Sequence, residues 1–351
     1  MKMEEIKEIA NAVLYEGYLL YPYRRSAIKN RQRWTIGVVY PREFSEANGK
    51  IEPWMMQTEC LVLGSADTSL DIYVRFLHLI LKSSEQSVTT SVPAETKFDT
   101  MHNFSKWSLA SHLANEPWEE GMEREVSVLT LPLSSLLDHP QVVEIAFPGE
   151  RMVEEPIDQS TVTIIREQQP LTGDVIIDAK PVSTDLFKIS IHIENRTTGT
   201  EALTSNAVLQ RSFVSTHTIL QVHDGSFISL MDPPETLKSI TQDCNNLHTW
   251  PVLVGNEGEC RTMLSSPIIL YDYPQIAPES PGSLFDGTEI DEILTLRILT
   301  LTDEEKEEMR QGDERAREIL ERTEALSPEQ FMKLHGVIRN LRPVDEGNVH
   351  E

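Results

Sequence analysis

The sequence contains few cysteines, no long apolar run and no excess of basic residues. Its three cysteines, Cys60, Cys244 and Cys260, form no CxxC pair, so neither a zinc ribbon nor a thioredoxin-like redox site is indicated. Scattered cysteines in odd number are typical of proteins kept in a reducing compartment. No apolar stretch approaches the roughly 20 residues that a membrane-spanning helix requires, so we expect no membrane insertion.

The charge balance is strongly acidic. The chain has 31 Lys and Arg residues against 56 Asp and Glu residues, which gives a formal net charge of −25. A surface with this excess repels polyphosphate, which argues against general binding to nucleic acid or to an anionic membrane. The N-terminal sequence MKMEEIKEIANAVLYEGYLLYPY has acidic residues where a secretory signal has a basic region. We therefore expect a cytoplasmic protein.

The sequence does contain the pattern of an antiparallel β protein. In LFKISIHIENR, at 186–196, apolar residues alternate with polar ones, as in a strand with one buried and one exposed face. TILQVHDGSFISL, at 218–230, has Asp-Gly between two apolar runs, which predicts a β-hairpin. Further strands are predicted at 34–41, 59–64, 70–81, 123–133, 142–149 and 293–301. Successive strands of this kind predict a mostly β (α+β) fold with an antiparallel β-sandwich core.

Both ends of the chain have helical patterns. Apolar residues recur at helical spacing within 3–20, and Pro22 is placed to end this helix. Thr302 with Glu305 has the spacing of a capping box. Ser327, followed by proline and glutamine, repeats the signature of a helix start. The sequence thus predicts an N-terminal helix and a C-terminal helical hairpin.

These patterns divide the chain into regions. Residues 1–150 form an N-terminal β-rich region that opens with the amphipathic helix and contains a polar, loop-rich insertion at 83–121. Residues 151–300 form the antiparallel β-sandwich. The helical hairpin is predicted for 301–343, and 344–351 forms a flexible tail.

The segment before 293 concentrates acidic residues. Glu279, Asp286, Glu289 and Asp291 can supply the oxygen ligands that a hard divalent cation prefers. Their spacing lacks the alternate-position ligands and the closing glutamate of a calcium loop. Two interpretations stay open. The segment is either a divalent-metal or catalytic site, or a hydrated turn before a buried strand.

Two histidines form a second candidate site. His217 and His223 are six residues apart, an even spacing that puts both side chains on one face of a strand. With nearby acids they can bind zinc or iron, or His217 can deprotonate Ser212 or Ser215. The alternative is that both histidines are hydrogen-bonded within the fold or face solvent, since the chain has neither a GxSxG nor an HExxH motif.

The third candidate is a basic strip in an acidic chain. Its members are Arg24, Arg25, Lys29, Arg31 and Arg33. Aromatic residues flank the strip and can stack on a planar or anionic ligand. The strip either binds a small anion or an acidic partner surface, or pairs with the protein's own acids. Cys244, His248 and Cys260 are residue types that suit zinc, at spacings that also arise by chance.

Several segments resemble a known family. RSFVSTHTIL, SLMDPPE, TWPVLVGNEGE and the N-terminal LYEGYLLYPYRRSAIKNRQRW are similar to those of an uncharacterised bacterial family whose genes lie among those for uptake-type NiFe hydrogenases. The likeness covers most of the chain and is weakest at 83–121 and at the tail. It implies a cytoplasmic accessory role in hydrogenase assembly and assigns no catalytic residue. The chain lacks the GTPase P-loop, the CxxC zinc site and the histidine-rich tract of known maturation proteins.

The leading interpretation is a non-catalytic binding or assembly protein. Its expected partner is a hydrogenase subunit or maturation factor, with the basic strip as a contact surface. One alternative is a metal-dependent hydrolase that uses a divalent metal, His217, His223 and the acids of 279–292. A second alternative is a small-anion binder at 24–33.

Overall fold

Alternating side chains in the middle of the sequence and helical spacing at its ends set the architecture. The computed structural model describes residues 3–16, 23–24, 35–86, 117–154, 162–275, 291–311, 314–327 and 330. In these residues strand exceeds helix, the strands pair antiparallel in two sheets, and helices lie near both ends. The predicted fold class is confirmed: mostly β, with an antiparallel sandwich core, an N-terminal helix and a C-terminal helical hairpin.

The first sheet has the strand order β10-β1-β8-β7-β4. Its strands are β1 (Met55–Leu63), β4 (Gln141–Phe147), β7 (Leu171–Pro181), β8 (Leu186–Asn195) and β10 (Ser226–Phe227). The predicted alternation in β8 is confirmed, because its isoleucines are buried while Lys188, His192 and Glu194 are more exposed. Ser190 departs from this pattern. It is buried and donates a hydrogen bond to Glu59 at 3.1 Å.

The second sheet has the order β11-β12-β9-β2-β6-β5, with β3 also paired to β2. Its strands are β2 (Ser69–Gln86), β3 (Trp118–Pro132), β5 (Glu150–Glu154), β6 (Val162–Gln168), β9 (Val214–His223), β11 (Trp250–Leu253) and β12 (Thr262–Ser266). The long strand β2 pairs with β3 on one side. On its other side it pairs first with β9 and then with β6.

The main apolar core lies between the two sheets. It includes Ile72 and Phe76 from the second sheet and Ile189 from the first. Phe76 packs on Phe213 with ring centroids 4.6 Å apart. A Cβ at Gly173 would lie 2.8 Å from the Phe213 ring and 2.3 Å from a backbone oxygen, so glycine permits the close packing at this point.

Helix α1 (Met3–Leu14) covers the outer face of the second sheet. Its buried residues Ile6 and Ile9 pack with Ile219 of β9 and Leu264 of β12. The amphipathic helix predicted for 3–20 is confirmed for Met3–Leu14, and it ends there, before the predicted end at Pro22. The short helices elsewhere are α2 (Arg42–Ala47), α3 (Leu133–Asp138), α4 (Ser205–Leu209) and α5 (Lys238–Gln242).

The C-terminal helices pack on the same face. They are α6 (Asp291–Leu299), α7 (Asp303–Gln311) and α8 (Glu314–Glu324), and their apolar residues join Leu77 and Val214 in one cluster. An ion pair of 3.0 Å between Arg310 and Glu324 ties α7 to α8. The predicted capping box is confirmed, since Glu305 N–H donates to Thr302 Oγ1 at 3.2 Å and Thr302 N–H donates to Glu305 Oε2 at 3.0 Å.

The apolar run 293–301, predicted to be a strand, instead lies in α6 and the turn after it. Leu294 and Ile298 are one helical turn apart and fully buried, whereas Leu296 is 42% exposed. A continuous apolar run fits a strand or a helix by pattern alone. Packing against the cluster that includes Leu77 selects the helix here.

Other local predictions are also corrected. The segment 34–41, predicted as a strand, forms only the isolated bridge between Val39 and Phe213 in its described part. β2 runs to Gln86 and β3 starts at Trp118, so both ends of the predicted loop-rich insertion are strand. Residues 87–116 lie outside the described ranges.

The turn at Asp224 and Gly225 joins strands of different sheets. β9 belongs to the second sheet, while β10 pairs with β1 in the first. The predicted hairpin is therefore wrong. Asp224 has a φ of 56°, and a Cβ on Gly225 would lie 2.7 Å from the carbonyl oxygen of Leu63. Asp-Gly supplies the tight turn, but the turn carries the chain across the sandwich.

Strands from both sides of residue 150 share each sheet. β1 and β4 pair with β7 and β8 in the first sheet, and β2 pairs with β6 and β9 in the second. The sandwich therefore extends beyond 151–300, the range predicted for it, into the region 1–150. Residues 331–351, which include the predicted tail, lie outside the described ranges.

Candidate functional site

His217 is buried on the helix-covered face of the second sheet. It lies directly opposite Arg75 of β2, is fully buried, and its Nδ1 lies 2.8 Å from the carbonyl oxygen of Ser215. Burial lowers the pKa of His217 to about 3, so the imidazole is neutral at physiological pH and Nδ1–H donates to Ser215. Ser212 donates its hydroxyl to Val208 at 2.8 Å, so this bond is not to His217.

His223 lies on the same face at the far end of β9. The pairing with β2 is regular between the two histidines, so the even spacing does place both on one face. Six residues of extended strand separate their Cα atoms by roughly 20 Å, which is too far for one metal ion to bind both. His223 Nε2 instead lies 2.8 Å from Asp71 Oδ2, and the other oxygen of Asp71 accepts the N–H of Thr130 at 2.6 Å.

A charged cluster lies around Arg75 of β2, on the face of the second sheet that α1 covers. Arg75 is only 5% exposed, and it donates to Asn11 Oδ1 at 2.7 Å and to Glu123 Oε2 at 3.3 Å. Its Nε lies 3.5 Å from Glu125. Because Asn11 is in α1 and the two glutamates are in β3, this Arg75 cluster fixes α1 on the sheet.

The same cluster reaches the C-terminal helices. Arg315 of α8 lies 3.5 Å from Glu123 and 3.5 Å from the centre of the Tyr15 ring, and the hydroxyl of Tyr15 donates to Glu123. Helix α8 and Tyr15, which follows α1, are therefore joined to Glu123 of β3 and to each other by an ion pair, a hydrogen bond and a cation–π contact. These contacts give the buried arginine and its neighbours a role in holding the fold.

The basic strip is described only at Arg24. Its guanidinium lies 2.9 Å from Glu305 and 3.7 Å from Glu308, both in α7. Pairing with the protein's own acids, one of the two alternatives from the sequence, therefore holds for Arg24. The remaining members, Arg25, Lys29, Arg31 and Arg33, lie outside the described residues and stay predictions.

The acidic segment is described only at its end. Asp291 is the first residue of α6, and Glu279, Asp286 and Glu289 lie outside the described residues. Within the described ranges, no group of three or more His, Cys, Asp or Glu residues is placed to hold a metal ion.

The cysteines contact different parts of the sandwich. Cys244 packs in a cluster with Leu61 beside the first sheet, whereas Cys260 Sγ lies 3.9 Å from the hydroxyl of Tyr273. Burial raises the pKa of the Cys244 thiol to about 11 and also raises the pKa of Cys60. Cys60 and Cys244 therefore stay protonated and weakly nucleophilic near neutral pH.

The structure reveals a surface that sequence reasoning missed. Exposed apolar side chains occur on β11, on the segment that hydrogen-bonds to Leu253, and near Ser229, which hydrogen-bonds to Asp272. We name them the β11-edge patch: Met231, Trp250, Ile269 and Tyr271. Tyr271 is 81% exposed and Ile269 is 70% exposed. Ile268 and Leu270, the alternate residues, pack against the cluster beneath α1. The alternation in this segment thus directs apolar residues both inward and outward.

Asp272 holds the patch in place. One of its carboxylate oxygens accepts the N–H of Leu253 at 2.7 Å, and the other accepts the hydroxyl of Ser229 at 2.5 Å. The same hydroxyl oxygen accepts the N–H of Met231 at 3.1 Å. Tyr273 N–H donates to the carbonyl of Leu253 at 2.7 Å. These bonds occupy the outer edge of β11 at Leu253 and fix the backbone that directly follows Tyr271.

None of the helices in the described ranges is long and apolar enough to cross a membrane. In comparisons with protein-family models, with curated proteins and with solved structures, the chain matched none.

Proposed function

We propose that the chain is a non-catalytic accessory protein that binds another protein, a hydrogenase subunit or maturation factor, during NiFe-hydrogenase assembly in the cytoplasm. The β11-edge patch is the observation that supports binding. The resemblance of RSFVSTHTIL and TWPVLVGNEGE to a hydrogenase-associated family supports the choice of partner.

The patch has the chemistry of a protein-binding surface. A tyrosine, a tryptophan and two apolar aliphatic side chains are exposed on segments that hydrogen bonds connect to β11 or to Asp272. Aromatic residues contribute most of the binding energy in many interfaces. Large exposed apolar side chains in a neighbouring group mark interaction sites more often than single ones do. This group therefore favours a macromolecular partner over a small polar ligand.

The patch is also fixed before binding. The side chain of Asp272 accepts the N–H of Leu253, and the N–H of Tyr273 donates to the carbonyl of Leu253. Tyr271 therefore directly precedes a backbone segment that is already ordered. Binding through an ordered segment loses less conformational entropy than binding through a loop that must fold. The side-chain hydrogen bonds of Asp272 thus help to fix the position of the neighbouring Tyr271 before a partner binds.

A pull-down from a host that expresses the hydrogenase genes tests this proposal. The tagged wild-type chain should recover a hydrogenase subunit or maturation factor, and Tyr271→Ala and Ile269→Ala should reduce the recovery. Val153→Ala is the matched control, because Val153 is 55% exposed but lies on β5, away from the patch. Recovery of no hydrogenase component, or equal loss in the control, would contradict the proposal.

A further inference from the structure

β4 forms one end of the first sheet and pairs only with β7 within the described residues. Thr172 of β7 uses its backbone on the β8 side, where its N–H donates to Thr197 at 3.0 Å and its carbonyl accepts from Arg196 N–H at 2.9 Å. In an antiparallel pair, residues that bond across the pair alternate with residues whose backbone groups point away from it. Ala146 of β4 lies opposite Thr172, so its backbone groups point away from β7, as do those of every second residue along β4. These outward residues of β4 are Val142, Glu144 and Ala146.

The side chains of the same residues lie on the outer face of the sheet, since Ile145 between them is fully buried in the core. Val142 is 54% exposed. The free edge of β4 therefore presents backbone donors and acceptors together with an exposed apolar side chain and an exposed acid. An edge of this kind is able to accept a further strand.

An acidic row ends at this edge. Glu194 of β8 lies opposite Asp174 of β7, and Asp174 lies opposite Glu144 of β4. Arg196 neutralises the inner part of the row, with contacts of 2.6 Å to Asp174 and 3.1 Å to Glu194. Among the residues that the structure describes, Glu144 has no such ion pair. A basic side chain on an added strand would complete the row.

A second copy of the chain fits this edge poorly. Full antiparallel pairing of β4 (Gln141–Phe147) with its own copy would place Glu144 opposite Glu144. Like charges directly opposite each other destabilise a sheet, and each copy carries a formal charge of −25. The edge thus disfavours symmetric self-pairing and favours a basic partner.

We propose that β4 binds an extended segment of another protein by strand addition, with Lys or Arg opposite Glu144 and an apolar residue opposite Val142. Alternate residues of the segment face inward beside Val143 and Ile145, where apolar side chains extend the core. The surface belongs to the first sheet and is separate from the β11-edge patch, so the proposal does not depend on the identity of the hydrogenase partner.

Fluorescence anisotropy with the full chain tests the register. The probes are two short labelled peptides with valine at the inward positions and opposite Val142, and threonine opposite Ala146. One has a central lysine and the other a central glutamate. The wild type should prefer the lysine peptide by roughly three- to thirty-fold, the range expected from exchanging an opposite-charge for a like-charge cross-strand pair. Glu144→Lys should reverse the preference. Glu201→Lys, the same charge change at an exposed turn residue, should leave it unchanged.

A second variant tests the backbone bonds. Ala146→Pro removes an outward N–H while keeping the bonds to β7, and edge strands tolerate proline at such positions. It should abolish binding of both peptides without unfolding the chain. If Ala146→Pro does not fold, the charge exchange at Glu144 decides alone. Equal effects of Glu144→Lys and Glu201→Lys would overturn the proposal, because net charge would then explain the preference.

Two occupants other than a partner would also overturn it. A dimer of the wild-type chain that Ala146→Pro dissociates would assign the edge to a second copy. If neither peptide binds and the outward amides of β4 exchange hydrogen as slowly as those of β7, a segment of the chain itself covers the edge. Absence of peptide binding with fast-exchanging β4 amides would show that the edge is open and takes no strand of this kind.

Discussion

Replacing His217 by asparagine should flatten the pH dependence of folding stability. The imidazole is fully buried, and burial lowers its pKa from 6.5 to about 3. Between these pH values the unfolded chain binds a proton at His217 that the folded chain does not. The contribution of the neutral imidazole to the free energy of unfolding is therefore fully present above pH 6.5 and is lost as the pH falls below it. Asparagine at 217 keeps an N–H for the carbonyl of Ser215 but cannot take up this proton.

The size of the effect follows from the shift. One such histidine changes the free energy of unfolding by up to about 1.4 kcal/mol per pH unit, so His217 contributes a loss of about 2 kcal/mol between pH 7 and pH 5. His78 is also buried, and burial lowers its pKa to about 4, which adds a similar loss. Carboxyl groups of the unfolded chain titrate below about pH 5, so this window reports mainly on histidines.

Urea unfolding at a series of pH values measures this dependence. The wild-type chain should lose about 4 kcal/mol between pH 7 and pH 5, and His217→Asn should lose about 2 kcal/mol less. Above pH 7 the imidazole is neutral in both states, so the two proteins should have parallel curves there. An unchanged slope in His217→Asn would refute the burial of a neutral imidazole beneath the helices.

Three further substitutions test the contacts that position the helices and the patch. Asp272→Ala should cost about 2 kcal/mol and speed hydrogen exchange at the Leu253 amide; unchanged exchange would contradict its anchoring role. Thr302→Ala should cost about 1 kcal/mol by removing the α7 cap, measured as faster exchange at Glu305, and equal exchange would count against the capping box. Arg75→Met should lower the free energy of unfolding by about 2 kcal/mol, less than the loss of a fully buried ion pair because the glutamate partners are partly exposed. The α1 amides should then exchange hydrogen faster, and unchanged exchange would argue against the Arg75 cluster as the anchor of α1.

The strands that the sequence predicted best are those with a clean period of two. β8 alternates along most of its length and β2 alternates over 69–74, and a half-buried strand needs that period. The cap at Thr302 was equally visible, because both of its hydrogen bonds join residues three apart in the sequence. Features determined by neighbours along the chain were therefore predictable.

Features determined by tertiary packing were not. The apolar run in α6 lacks a period that separates strand from helix. The Asp-Gly pair has the same turn chemistry in a hairpin and in a crossing between sheets, and the choice depends on which strand β10 meets. The ion pairs of Arg24 are with Glu305 and Glu308. These glutamates are distant in the sequence, so no local pattern indicates the contact.

The separation of the two histidines was hidden from the sequence for a related reason. Spacing placed His217 and His223 on one face but also roughly 20 Å apart, and the burial of His217 depends on α1 and Arg75. The β11-edge patch escaped notice because Asp272 fixes it through Leu253 and Ser229. A possible signal was the unbroken apolar segment around Tyr271, which exceeds what a strand with one buried face needs.

Titration calorimetry of the purified chain with purified hydrogenase subunits and maturation factors, each titrated in turn, gives the clearest result on the proposed assembly role. The wild-type chain should bind, and Tyr271→Ala should weaken binding about tenfold or more, as expected for an aromatic residue at the centre of an interface. Val153→Ala should bind as the wild type does. No binding by the folded wild-type chain, or equal weakening by Val153→Ala, would contradict the assignment of the β11-edge patch to hydrogenase assembly.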